Sequence, residues 1–112
     1  MQTLLFDFYG ELLTERQRQI YEDVVCNDLS LSEAAQDYGV TRQGIHDLVK
    51  RADRQLEEYE SRLHMVEKTR KLKSLAEKIQ ALAQEEDGEN GEDAAGRLSQ
   101  IRELSAGLLE EL

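Results

Sequence analysis

The sequence lacks proline and tryptophan altogether, and aromatic residues make up only 5% of its 112 positions. It also lacks any run in which β-branched and polar residues alternate, the pattern typical of a half-buried strand. Proline is the residue that most strongly interrupts helices, and none is present to do so. These absences predict an all-α chain.

Cysteine and long apolar runs are also scarce. Cys26 is the only cysteine, so no disulfide can form within the chain, and it is expected to be a small buried hydrophobic side chain. No apolar run approaches the roughly 18 residues needed to span a bilayer. The first residues have neither the basic start nor the small-residue cleavage site of a signal peptide. We therefore expect a cytoplasmic protein without a membrane segment.

The motifs of common enzyme classes are missing as well. The sequence has no glycine-rich phosphate loop, no nucleophile elbow and no H-E-x-x-H pattern. His46 and His64 are the only histidines, and neither lies in a cysteine, histidine or carboxylate pattern that would indicate a metal site. The sequence therefore predicts a protein that is not an enzyme and that holds no metal or cofactor.

Acidic residues dominate the sequence, but unevenly. The net charge is −10, which argues against the simplest picture of a DNA-binding protein. Residues 1–40 carry eight acidic and two basic residues and 79–112 carry nine and two, whereas 41–78 carry seven acidic and ten basic. This middle block has the positive charge that DNA binding requires. Its excess is only three charges, so non-specific affinity should be weak and strongly salt-dependent.

Residues 30–51, SLSEAAQDYGVTRQGIHDLVKR, have the pattern of a helix-turn-helix motif. Ser30 and Glu33 form an S-x-x-E capping box that begins the first helix. Gly39 ends that helix because it can adopt a positive φ without a Cβ clash. Thr41 is a good N-cap for the second helix.

Small and apolar side chains fit the inner side of this motif. Ala35 is expected where the two helices cross closely, and Val40 is expected to be a buried anchor in the turn. Ile45, Leu48 and Val49 form the inward face of the second helix at helical spacing. Helix pairs of this kind also occur as plain structure, so the pattern predicts the fold more directly than it predicts DNA binding.

The outward face of the second helix carries the candidate DNA-binding residues. In a helix-turn-helix protein this helix enters the major groove of double-stranded DNA with its N-terminal half. Arginine can pair with guanine and glutamine with adenine, whereas the last two cations would hold phosphates. The candidate residues are Thr41, Arg42, Gln43, His46, Lys50 and Arg51. The alternative is that they form an ordinary solvated helix face.

Two residues oppose the DNA-binding interpretation. Asp47 points outward among the candidates, where its charge would repel phosphate unless it accepts a hydrogen bond from cytosine. Gly44 lowers the stability of the first turn by roughly 0.5–1 kcal/mol relative to alanine. Either the backbone approaches a neighbour closely at Gly44, or the helix is not built for rigid base recognition.

The remaining helices flank the motif. Residues 2–13 are predicted to form a short apolar helix that packs through Leu4, Leu5, Phe8, Leu12 and Leu13, and Thr14 and Gln17 form a capping box for the next helix. Beyond Thr41 no proline interrupts the helical pattern, so the second motif helix should extend to about His64 or beyond. A further long helical segment should follow, with a bend near Thr69.

The C-terminal third is predicted to be a helical hairpin around an acidic loop. Residues 85–93, EEDGENGED, form the loop, and a final helix over 94–112 places Leu98, Ile101, Leu104, Leu108 and Leu112 on one face. The hairpin cannot bury both of its stripes alone. A two-fold homodimer through the long helices would cover them, but they could instead cap the N-terminal domain of their own chain. The sequence thus divides into a helix-turn-helix domain, 1–66, and a helical extension, 67–112.

Two family resemblances accompany these patterns. The segment LTERQRQIYEDVVCNDLSLSEAAQDYGVTRQGIHDLVKRADRQLEEYE resembles the promoter-reading C-terminal domain of bacterial sigma factors. A longer resemblance, over roughly residues 4–66, is to the small bacterial YlxM-like proteins, through FDFYGELLTERQ, YGVTRQGIHDLVKR and LEEYESRLHM. This resemblance implies a helix-turn-helix fold, a regulatory role and participation in the signal recognition particle pathway, because the genes of these proteins neighbour that of the particle's GTPase. It also implies that Thr41, Arg42, Gln43, His46, Asp47, Lys50 and Arg51 belong to the recognition helix.

Two functions therefore remain open from the sequence. The first is a DNA-binding helix-turn-helix regulatory protein linked to the signal recognition particle pathway. The second is a protein-interaction module that has a sigma-like fold and binds a protein or ribonucleoprotein instead of DNA. The positive block at 41–78 favours the first, whereas the net charge and Asp47 favour the second.

Overall fold

The computed structural model describes residues 1–84 and 92–112, and every regular element in these ranges is helical. Two short turns continue the first two helices, a 3-10 turn at Gly10–Leu12 and a π-helical turn at Glu22–Cys26. The all-α prediction is confirmed. The helices are α1 (Gln2–Tyr9), α2 (Glu15–Tyr21), α3 (Leu31–Tyr38), α4 (Arg42–Leu63), α5 (Met65–Gln84) and α6 (Glu92–Glu111).

The chain divides into two units, residues 1–66 and residues 67–112. The predicted acidic loop at 85–93 lies outside the described residues except for its last two positions, Glu92 and Asp93, which begin α6. None of the described helices combines the length and the apolar character that a bilayer crossing requires.

One core cluster of the N-terminal unit joins α1 to α4. Its buried members are Leu5, Tyr9, Leu13, Tyr21, Ala52, Leu56 and Val66. The predicted stripe of α1 is partly wrong, since Phe8 and Leu12 remain 37% and 55% exposed. Leu5 and Tyr9, four residues apart, form the buried face of α1 and leave Phe8 at its edge. The 3-10 turn shifts the helical phase after Tyr9, which leaves Leu12 exposed. Gly10 permits that turn, because a Cβ there would lie 2.9 Å from Cε2 of Phe6.

A second cluster holds the helix-turn-helix motif together. Ile20 of α2, Ala34 of α3 and Ile45 of α4 are fully buried against one another. The helices of the motif therefore cross closely at Ala34. The prediction placed the crossing at Ala35, one position later, and it is wrong because Ala35 is only half-buried. Val40, the predicted buried anchor, lies exposed in the turn.

The long helix ends at Leu63, close to the predicted His64. His64 has a left-handed conformation with φ 54°, and α5 begins directly after it. Tyr9 and Glu60 cap the new helix: the Tyr9 hydroxyl donates to Oε1 of Glu60 at 2.6 Å and accepts from the Met65 amide at 3.1 Å. The predicted bend near Thr69 is wrong, because α5 runs through that residue without interruption.

The C-terminal unit is an antiparallel hairpin of α5 and α6. Nζ of Lys71 lies 2.6 Å from Oε1 of Glu111, and a Cβ placed on Gly107 would lie 3.9 Å from Cδ1 of Leu75. The facing apolar residues are half-buried, namely Leu72, Leu75, Ile79, Leu82, Ile101, Leu104 and Leu108. The predicted stripe of α6 is wrong at its two ends, since Leu98 and Leu112 are exposed.

Enlarging Ala34 should destabilise the N-terminal unit more than enlarging its neighbour. Extra methyl groups in a filled core force side chains off their rotamers, at a cost of about 1–3 kcal/mol. Ala34→Val should lower the free energy of unfolding in urea by that amount, measured by circular dichroism at 222 nm. Ala35→Val, at a half-buried position, should cost well under half as much. Equal costs would show that Ala34 is not the crossing point.

Candidate nucleic-acid interface

Local hydrogen bonds fix the turn of the motif. The Glu33 amide donates to Oγ of Ser30 at 3.1 Å, and Gly39 ends α3 in the left-handed conformation at φ 66°. The Gly44 amide donates to Oγ1 of Thr41 at 2.9 Å, which starts α4. These caps were predicted from the sequence and are confirmed. In a full capping box the glutamate side chain accepts from the backbone amide of the capping residue. Here the carboxylate of Glu33 accepts from the Ser30 hydroxyl instead.

Tyrosine hydroxyls orient the helices that carry the motif. The hydroxyl of Tyr21, in α2, donates to Oδ1 of Asp53, in α4, at 2.5 Å, and Nε2 of Gln2 donates to Oδ2 of the same carboxylate at 2.9 Å. The Tyr38 hydroxyl, in α3, donates to Asp23, in the turn after α2. Hydrogen bonds to charged groups are stronger than those between neutral groups. The bond from Tyr21 to Asp53 fixes α4 to α2 about one turn beyond Lys50 and Arg51.

The predicted site residues lie on the exposed side of the motif, but they do not all share one face. Thr41, Arg42, Gln43, Lys50 and Arg51 are exposed, and His46 is half-buried. At about 100° of rotation per residue, Arg42, Gln43, His46 and Lys50 fall within an arc of roughly 100°. Arg51 falls about 80° beyond that arc and lies on its flank. We call the four residues Arg42, Gln43, His46 and Lys50 the outer arc.

Three members of the outer arc border a shallow groove at the start of α3. The groove has a volume of about 470 Å³ and is lined by Leu31, Arg42, Gln43 and His46. Leu31 was not among the predicted site residues. No local pattern in the sequence places Leu31 beside α4, because the groove exists only when α3 and α4 are packed.

Asp47 accepts a hydrogen bond from one neighbour and lies near a second without bonding to it. Nε2 of Gln43 donates to Oδ1 of Asp47 at 2.9 Å, and Nδ1 of His46 lies 3.7 Å from the same oxygen. One N–H group of Gln43 and its carbonyl oxygen remain available, which is the donor and acceptor pair that adenine requires. Asp47 thus holds the Gln43 amide in place, and it also leaves a negative charge beside the outer arc.

Gly44 lies directly against the cap of α4. A Cβ at this position would come within 3.1 Å of Oγ1 of Thr41, closer than most Cβ contacts. The close backbone approach considered from the sequence is therefore present, and it is made with the capping hydroxyl. A larger residue would compete with the bond that begins the helix.

The exposed side chains of this surface are suited to binding a partner. Within the described ranges, no group of three or more histidine, cysteine or carboxylate residues could hold a metal ion. Exposed cations and an oriented amide on the N-terminal half of a helix can contact phosphates and the edges of bases.

Comparison with known proteins assigns the family. The profile of the family described as "Putative helix-turn-helix protein, YlxM / p13 like" matches residues 1–94. The chain belongs to this family. The match includes the whole helix-turn-helix motif and the complete N-terminal unit, and it ends just after the start of α6.

Several bacterial relatives bear only the name UPF0122 protein. One from Caldanaerobacter subterraneus is 47% identical over 77 residues, 69% of this chain and 66% of the relative, slightly under two thirds. One from Desulforamulus reducens is 49% identical over 87 residues, 77% and 74% of the two chains. One from Symbiobacterium thermophilum is 49% identical over 80 residues, 70% and 75% of the two chains. These names give no activity, so the evidence for function comes from the surface itself.

Stability at alkaline pH should depend on the Tyr21 hydroxyl. Burial, followed by the hydrogen bond to Asp53, raises the pKa of Tyr21 above its ordinary value of 10.0. A raised pKa in the folded state means that the stabilisation is fully present below pH 10 and is lost as the pH rises further. Tyr21→Phe should therefore lower the free energy of unfolding by about 1–2 kcal/mol at pH 7, and the variant should show a shallower decline above pH 10.

Tyr59→Phe provides the matched control. Tyr59 is half-buried and its ring packs against Tyr9, but its hydroxyl has no hydrogen-bond partner among the described residues. Urea unfolding of both variants between pH 7 and pH 11 separates the loss of the hydrogen bond to Asp53 from the loss of a tyrosine hydroxyl in general. If Tyr59→Phe costs as much as Tyr21→Phe, the bond to Asp53 does not stabilise α4.

Proposed function

We propose that the chain is a regulatory protein that binds double-stranded DNA through the outer arc of α4, acting as a homodimer. The observation that carries this proposal is the position of the outer arc. Its two cations and its oriented amide lie exposed on the N-terminal half of the second helix of a helix-turn-helix motif, which is the part that enters the major groove in proteins of this type. The second helix of the motif also begins the only net-positive block of the sequence, residues 41–78.

Each residue has a role that follows from its chemistry. Arg42, at the first turn, can pair with guanine, and the free atoms of the Gln43 amide can pair with adenine. Lys50 and Arg51 lie further along the helix and hold phosphates, which fixes the position of the protein without specifying sequence. Thr41 caps the helix, and His46 supplies a further donor beside the groove.

The family resemblance supports a more specific role in the signal recognition particle pathway. The chain would then regulate components of this pathway through DNA, or contact the particle itself. A cytoplasmic location, expected from the sequence, is consistent with both roles.

Removing single cations from the outer arc should weaken binding to DNA. Arg42→Ala and Lys50→Ala should each reduce affinity for a random duplex by about three- to tenfold at low salt, because each removes one phosphate or base contact. Fluorescence anisotropy with a labelled duplex measures the loss, and the dependence on salt should become shallower by about one unit per cation removed.

Arg62→Ala is the control for this experiment. It removes the same charge from the same helix, about 30 Å from Arg42 and about 18 Å from Lys50 along the helix axis, where Arg62 pairs with Glu58 at 3.0 Å. Its affinity should equal that of the unmodified chain. Absence of binding at any salt concentration, or an equal loss in all three variants, would contradict the proposal.

Neutralising Asp47 should have the opposite effect. Asp47→Asn removes the negative charge beside the outer arc but keeps an oxygen that can accept from Gln43. We expect affinity for a random duplex to rise about three- to tenfold at low salt and the gain to shrink at high salt, because added ions screen the charge. The same anisotropy titration measures it, and unchanged affinity would show that the duplex does not approach Asp47.

A second candidate function is favoured by the charge of the chain. Asp47 lies beside the outer arc, and the whole chain carries −10, so a protein-interaction module would suit a basic protein or ribonucleoprotein partner. Pull-down of purified signal recognition particle protein and RNA tests this function. Capture that is lost in Asp47→Asn, together with no affinity for duplex DNA, would favour it over the first.

A further inference from the structure

The hairpin of α5 and α6 lacks a core of its own. No described residue of 67–112 is buried, whereas the N-terminal unit contains ten buried hydrophobic residues. Leu75, Leu82 and Leu104 line an open groove of about 510 Å³ between the two helices. A unit of this size rarely obtains enough stability from burial within one chain, so the apolar floor of this groove is suited to a partner.

Polar residues on the two sides of the groove carry opposite charges. Lys78, on α5, lines one side, and Glu103, on α6, lines the other. The antiparallel register places them at the same level, because Lys71 pairs with Glu111 and Leu75 lies beside Gly107. Continuing that register by about one turn puts Lys78 opposite residues 103 and 104.

The two helices also differ in overall charge. Within its bounds α5 carries five basic and two acidic residues, and α6 carries two basic and five acidic. A partner that places a copy of α6 against α5, and a copy of α5 against α6, would therefore meet the opposite charge on both helices. A second copy of this chain meets that condition.

We propose that the α5–α6 groove is the interface through which two copies of the chain associate. A two-fold axis parallel to the helices places each α5 against the α6 of the other copy, and the two hairpins close into an antiparallel four-helix bundle. Lys78 of each copy then faces Glu103 of the other at the same level, which gives two symmetric ion pairs. Leu75, Leu82 and Leu104 form the apolar centre. The inference rests on the homodimer of the proposed function and does not depend on DNA.

Charge reversal tests the interface in the full chain. Sedimentation equilibrium at micromolar concentration should give a mass near twice 12.9 kDa. Lys78→Glu and Glu103→Lys should each weaken association by about tenfold, because each turns two attractive pairs into repulsive ones. The double variant restores both pairs with their signs exchanged, and its association should return to within about threefold of the unmodified chain. Lys73→Glu, an equal charge change on an exposed residue of α5 that does not line the groove, should have no effect.

The outcomes separate the possible failures. A monomer of the unmodified chain at these concentrations would overturn both the homodimer and its interface, and binding of DNA by that monomer would leave the rest of the proposed function standing. A dimer that is equally sensitive to Lys73→Glu, or that the double variant fails to restore, would overturn the groove as the interface. If the chain is a monomer and the groove variants lose binding to a different protein, the groove is the binding site of that protein and the proposal is overturned.

Discussion

The contact of Ile20, Ala34 and Ile45 is the constraint on which the candidate interface depends. Three helices meet there with no exposed surface on any of the three side chains, and the contact is possible because Ala34 has only a methyl group at the crossing. The inward side of α4 is fixed by Ile45, so helical geometry alone sends the outer arc to solvent. The bond from Tyr21 to Asp53 then fixes α4 one turn beyond Lys50.

In this acidic chain, the positive charge of the outer arc acts only over short distances. A net charge of −10 repels DNA at a distance, but exposed charges more than about 10 Å apart interact weakly at moderate salt. Contacts made by Arg42 and Lys50 can therefore act on a phosphate without full opposition from acidic residues elsewhere. Asp47 is the exception because it lies beside these contacts. It holds the Gln43 amide in place and at the same time leaves a negative charge beside the outer arc.

Features set by neighbouring residues could be predicted from the sequence, and features set by distant contacts could not. The caps at Ser30 and Thr41 and the turn at Gly39 each depend on a few adjacent residues, so the motif and the exposure of its candidate residues followed from local pattern. The choice between Ala34 and Ala35 depends on where α2 crosses. The start of α5 at Met65 depends on the cap supplied by the Tyr9 hydroxyl, 56 positions earlier, and no helical pattern records that contact. Leu31 was missed for the same reason, since its groove exists only when α3 and α4 are packed.

The measurement that tests the central claim most directly is a titration of the ¹⁵N-labelled chain with a random duplex, followed by amide chemical shifts. If the outer arc of α4 contacts DNA, the shifts should concentrate in residues 41–51 and at the start of α3, and they should diminish as salt is added. Shifts confined to residues 67–112, or no shifts at low salt, would contradict the assignment of this surface to nucleic acid.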